Sequence, residues 1–123
     1  MTAFRFDEPL RAGAAEGRLL LQRCPVCGPV PSFPRIACPG CLRELEWFEA
    51  SGRGSVESYT VVRRTHHAAY EPHVPIVLAL IALEEGARTI SAIVGDDRLD
   101  TAIGAPVHVA RGWSTLPQFR LAR

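Results

Sequence analysis

The chain has 123 residues, 47% hydrophobic and 22% charged, which fits one ordinary globular domain and excludes a disordered chain. All fourteen basic residues are arginines, so no Schiff-base or P-loop lysine chemistry is available. The formal net charge of +1 lacks the basic excess of a nucleic-acid binder, and the longest apolar run, 76–83, falls far short of the ~20 residues a membrane helix needs.

The first 25 residues carry Asp7, Glu8 and Glu16 and no long apolar stretch. No signal peptide is expected there, and the expected compartment is the cytoplasm. A loose start with Phe4 and Phe6 precedes a short helix. Asp7 is placed to cap it, Pro9 sits in its tolerant first turn, and Gly17 stops it after about Glu16. Leu19, Leu20 and Leu21 then form a short strand.

That strand leads into the most informative feature. Cys24-Pro25-Val26-Cys27 and Cys38-Pro39-Gly40-Cys41 are two C-x-x-C pairs with ten residues between them, and there is no other cysteine. Two such loops can each present two thiolates to one ion, so one zinc held by Cys24, Cys27, Cys38 and Cys41 is the leading reading. Gly28 follows the first pair, where a tight knuckle favours a residue free to take positive φ. Two disulfides would need an oxidising compartment. A redox pair would need a helix N-terminus that proline and glycine here argue against. Iron is the remaining alternative, although Leu42 stands where rubredoxins usually carry glycine. Four cysteine ligands close the shell, which makes the metal structural. Arg23, Arg35 and Arg43 either offset the negative tetrathiolate or fall there because arginine fills every basic position.

Pro29, Pro31 and Pro34 keep the link between the pairs extended. A strand at Leu45 and Trp47 leaves the ribbon. Ser51-Gly52-Arg53-Gly54 reads as a turn, followed by strands at 55–63, 76–84, 88–94, 106–111 and 118–122. The 76–84 strand is apolar on both faces and should be covered on both sides or face a partner. Glu84-Glu85-Gly86-Ala87 is the hairpin turn after it. Five short strands with little helix suit a closed OB-fold barrel. The expected fold is mostly β: a short N-terminal helical segment (1–18), a rubredoxin-like zinc ribbon (19–50) and a five-stranded OB-fold (51–123).

These motifs, in this order, resemble the DUF35 family. The matching residues are Leu21-Gln22-Arg23-Cys24 with Cys27-Gly28, Phe33-Pro34-Arg35 before Cys38-Pro39 and Cys41, and Trp47. Ser51-Gly52-Arg53-Gly54-Ser55-Val56, Ile103-Gly104-Ala105-Pro106-Val107 and Leu116-Pro117-Gln118-Phe119-Arg120 complete the match. The resemblance implies a zinc-containing, non-catalytic accessory subunit of a thiolase-type acyl-CoA enzyme (thiolase, aldolase or acyltransferase), with MaoC-like hydratases as a further partner class. It would support the catalytic subunit and help hold acyl-CoA, while catalytic residues belong to the partner. An OB-fold that binds nucleic acid is the alternative, against which nine dispersed aromatics and a near-neutral charge weigh.

CoA carries phosphates, and arginine meets phosphate with two-point contacts. Arg53, Arg63 and Arg64 are the candidates, with solvated surface charge as the alternative. Trp113, Leu116 and Phe119 are candidate partner anchors, with a mixed outcome favoured: Phe119 inside, closing the barrel as part of its last strand, and Trp113 near the partner. The loop holding His66, His67, Tyr70, Glu71 and His73 is either a second metal or acid–base centre or a polar loop meeting a partner or solvent.

Overall fold

The structure is a computed structural model and describes residues 7–122. Phe4 and Phe6 lie outside the described residues. Helix α1 (Glu8–Ala15) has proline in its first turn, where a missing N–H costs nothing. Asp7 does not cap with its side chain. Its carboxylate instead accepts from Arg11 Nε at 2.9 Å, and its backbone carbonyl takes the Arg11 N–H. The expected cap is thus diverted to an ion pair one turn on.

Strands β1 (Leu20–Arg23) and β2 (Glu46–Glu49) pair antiparallel as the two-stranded base of the ribbon. The remaining strands are β3 (Arg53–Val62), β4 (Ile76–Leu83), β5 (Arg88–Ile93), β6 (Pro106–Ala110) and β7 (Gln118–Leu121). They close into a barrel in the order β3-β4-β5-β7-β6. Closure comes from Arg53–Ser55 pairing with Pro106–His108. That pairing draws Arg53 and Gly54 out of the expected turn and into the strand. β5 meets β7 in parallel at Ile93 and Phe119.

Period-2 alternation decides which side chains fill the barrel. On β4, Val77, Ala79, Ile81 and Leu83 point inward, with Leu78, Leu80 and Ala82 outward. Phe119, Ile81, Ile93, Val56, Val77 and Val107 are the largest fully buried side chains. Leu19, Leu21 and Ala50 join the same apolar cluster, so ribbon and barrel share one core. The outer face of β4 is less well covered: Leu80 and Ala82 are half-buried, and Leu78 is exposed. Among the described residues, no helix is long and apolar enough to cross a membrane.

Candidate metal centre and partner face

The two cysteine pairs fold as matching knuckles. In the first, the Gly28 N–H closes onto the Cys24 carbonyl at 3.0 Å, and in the second the Leu42 N–H closes onto the Cys38 carbonyl at 2.8 Å. The residue after each pair is forced to positive φ: 87° at Gly28 and 62° at Leu42. Leu42 therefore occupies a glycine conformation with a side chain that is 80% exposed.

All four Sγ atoms lie within 4.8 Å of one another, with Cys24 and Cys41 at 3.5 Å. A tetrahedron with sulfur about 2.3 Å from zinc has edges of about 3.8 Å, so the cluster fits a single zinc ion. Bound there, zinc supplies cross-linking and no open coordination position, since all four ligands come from the chain.

Backbone donors prepare the sulfurs. The Cys27 N–H points at Cys24 Sγ at 3.3 Å, and the Gly40 N–H at Cys38 Sγ at 3.3 Å. The proline after each first cysteine has no N–H to compete. Donation from Cys27, then from Val26, draws the Cys24 thiol down to about 6. The N–H groups of Cys41 and Gly40 lower Cys38 as well. Cys27 is pushed up to about 12 because its thiol hydrogen-bonds with the sulfurs of Cys41, Cys38 and Cys24. Cys24 and Cys38 pack with Leu45 in a small separate core, whereas Cys27 is exposed. Of the nearby arginines, Arg23 is turned away: it lies 3.5 Å from Glu46 and stacks over Phe48 at 4.3 Å. Arg35 and Arg43 are exposed.

Sequence reasoning missed Gln22. Its buried amide clasps the Arg35 backbone at two points, donating to the carbonyl and accepting from the N–H at 2.8 Å each. This ties the proline-rich link to β1. The available signal was a polar residue directly after three leucines in a short strand.

The three phosphate candidates do not come together. Arg53 stands at the start of β3, paired at two points with Glu84 at 2.8 and 3.1 Å. That pair holds the Glu84 carboxyl below its usual range. Arg63 and Arg64 follow the other end of the strand, about 30 Å away by strand rise.

The histidines assemble no metal site. The cysteine set is the only group of potential ligands that converges among the described residues. The loop instead builds an aromatic stack onto Trp113. His73 lies flat on the indole at 4.1 Å and 9°, Tyr70 meets it edge-on at 5.8 Å, and His67 stacks on Tyr70 at 4.5 Å. Trp113 and Leu116 remain 37% and 43% exposed. Phe119 lies inside, as favoured, and not at the surface as a partner anchor: at 0% exposed it fills the barrel, because β7 turns it between β5 and β6.

With this geometry in place, comparison with known proteins gives a consistent picture. Residues 11–46 match the ChsH2 rubredoxin-like zinc ribbon domain, and residues 47–111 match the ChsH2 C-terminal OB-fold domain. The structure resembles a solved chain of the Ltp2-ChsH2(DUF35) aldolase with a TM-score of 0.79 and 34% identity, covering 100% of this chain and 99% of that one. A probable enoyl-CoA hydratase alpha subunit of Thermomonospora curvata is 38% identical over 115 residues, 89% of this chain and 35% of that protein. A DUF35 domain-containing scaffold protein of Methanothermobacter thermautotrophicus is 39% identical over 89 residues, 71% of this chain and 66% of that protein. The chain thus spans about a third of the first relative's length and about two thirds of the second's.

Proposed function

The chain belongs to the ChsH2-type DUF35 family, a zinc ribbon joined to an OB-fold, and from that premise we propose that it is a non-catalytic accessory subunit of a thiolase-type acyl-CoA enzyme. It supports the catalytic chain and helps hold the acyl-CoA. The observation that carries this reading is the end-to-end likeness to a chain of the Ltp2-ChsH2(DUF35) aldolase. The names of the two curated relatives, a CoA hydratase subunit and a scaffold, agree with it.

The residues support a structural division of labour. A zinc ion ringed by four cysteines has no position for substrate, so its work is to hold the ribbon. The histidine loop spends its rings on stacking against Trp113. Arg63 and Arg64 are our candidates for the CoA phosphates, since Arg53 is already engaged by Glu84.

Co-expression with a thiolase-like chain, followed by size-exclusion chromatography and acyl-CoA turnover, tests the proposal. The expected result is co-elution, one zinc per accessory chain, and turnover by the complex that neither chain shows alone. Arg63→Ala with Arg64→Ala should weaken CoA binding to the complex. A wild-type chain that elutes alone beside every thiolase-like chain offered would overturn the reading. Salt-sensitive binding to oligonucleotides by the lone chain would move it to the nucleic-acid alternative.

A further inference from the structure

The four zinc ligands are not equivalent. Cys24 and Cys38, at 1% and 4% exposed, are closed into the small core with Leu45. Each also receives a backbone N–H, from Cys27 and from Gly40, both at 3.3 Å. Cys27 is exposed and Cys41 half-buried, and neither sulfur accepts a backbone N–H among the described residues. The approach to these two is open. Val26 and Leu42, their chain neighbours, are 61% and 80% exposed. Apart from residues adjacent in the chain, no atom stands within 4 Å of where a Cβ at Gly28 would lie.

These differences set reactivity. A cysteine bound to zinc is a thiolate, so every ligand carries the nucleophilic form of sulfur. A backbone N–H takes up part of that charge, and burial keeps an oxidant away. Oxidation follows thiolate character together with access, and a second sulfur nearby converts the first product to a disulfide. Cys27 offers the access and an unshared sulfur charge, and Cys41 is the ligand most like it. Their sulfurs lie within 4.8 Å of each other. A disulfide of about 2.05 Å therefore asks them to close by less than about 3 Å, within reach of side-chain rotation.

We propose that Cys27 is an oxidant-sensitive modification site, attacked by hydroperoxides and resolved by Cys41 into a disulfide that opens the zinc ribbon. The Cys27 thiolate takes one oxygen of hydrogen peroxide, the O–O bond breaks, and hydroxide leaves. The Cys41 thiolate then attacks the Cys27 sulfenic acid and expels its oxygen as a second hydroxide. Two protons from solvent turn both hydroxides into water. Two thiolates thus give up two electrons, and one peroxide is reduced to two waters. With two of four ligands consumed, the ribbon loses its hold on zinc. Cys24 and Cys38 stay reduced, so a dithiol reductant with added zinc restores the site. Loss of the metal reaches the barrel through the shared core of Leu19 and Leu21. The site belongs to the ribbon and is present with or without a catalytic partner.

The test uses the zinc-loaded wild-type chain, so no variant has to fold. Hydrogen peroxide is added at neutral pH, and free zinc is followed with a chromogenic chelator. Samples are quenched in acid, and each cysteine is assigned by differential alkylation and peptide mass spectrometry. The expected product is a Cys27–Cys41 disulfide, with one zinc released per chain and with Cys24 and Cys38 still alkylated as thiols. Dithiothreitol with added zinc should then restore full metal content. A second measurement limits N-ethylmaleimide to less than one equivalent and asks which sulfur it labels first. Cys27 should carry the label in about 10-fold excess over Cys24 or Cys38. First labelling at Cys24 or Cys38 overturns Cys27 as the point of attack. A disulfide within either C-x-x-C pair or from Cys24 to Cys41, or Cys27 oxidised to its sulfinic acid beside a free Cys41 thiol, overturns the resolving role. Zinc retained and four thiols recovered after peroxide overturn the site altogether, and none of these results bears on the accessory-subunit reading.

Discussion

Leu42 holds a φ of 62° that L side chains adopt at a cost of about 1–2 kcal/mol. Its side chain is exposed, so replacing it removes strain and loses little contact. Leu42→Gly should raise stability by about 0.5–1 kcal/mol, after allowing for glycine's freer unfolded chain. A urea melt of the zinc-loaded protein checks this, and a fall in the midpoint would mean that Leu42 carries a contact its exposure hides. The cysteines make a pH prediction. Cys24 and Cys38 are lowered from the ordinary thiol range, so their thiolates stabilise the folded ribbon above that range. For Cys24 that contribution is lost as pH falls through about 6. Cys27 moves the other way, favouring its thiol until metal displaces the proton. Zinc competes with protons for all four thiolates, so it should stay bound at neutral pH and leave only on acidification, read with a chromogenic chelator. Release already complete at neutral pH would contradict this assignment.

Two glutamines organise elements that the strand pattern leaves loose. Gln22 ties the proline-rich link to β1, and Gln118 ties the 112–117 loop to β7. Each is buried within a strand. Removing the Gln118 amide leaves two backbone N–H groups without their acceptor. Gln118→Ala should cost about 1–3 kcal/mol and increase the solvent exposure of Trp113, seen as a red shift of tryptophan emission. Unchanged stability and emission would show that the stack on His73 is enough to hold the loop. Neither clasp was legible in sequence, because each partner is backbone brought near by folding. The start of β3 was misjudged for the same reason: Arg53 and Gly54 read as turn until β6 supplies a strand beside them.

At the scale of the molecule, Leu19 and Leu21 of the ribbon are buried with Val56, Val77 and Phe119 of the barrel. Losing the metal should therefore destabilise both modules together. Chelation should lower the melting temperature of a single cooperative transition; an unshifted barrel transition would mean the shared core contributes little. Phe119→Ala should cost about 3–5 kcal/mol, as expected for emptying a fully buried aromatic site. Deleting 112–123 removes β7 along with the loop, so it should unfold the barrel rather than merely detach a partner. Circular dichroism of the truncated chain checks that outcome, and a folded truncation would show that β3, β4, β5 and β6 can close without it.

The sequence by itself determined the zinc ligands and the number of barrel strands. Those features are local in pattern: paired cysteines with two residues between them, and short strand-like runs separated by turn signals. It also carried the family resemblance, through the order of its motifs. Tertiary structure decided the rest. It put Phe119 inside and Trp113 outside although they lie six positions apart, because β7 is fixed between two strands while the loop before it is pinned by Gln118. It joined the histidine loop to Trp113 across some forty residues of chain. Such groupings depend on which distant segments pack together, and no local spacing records that.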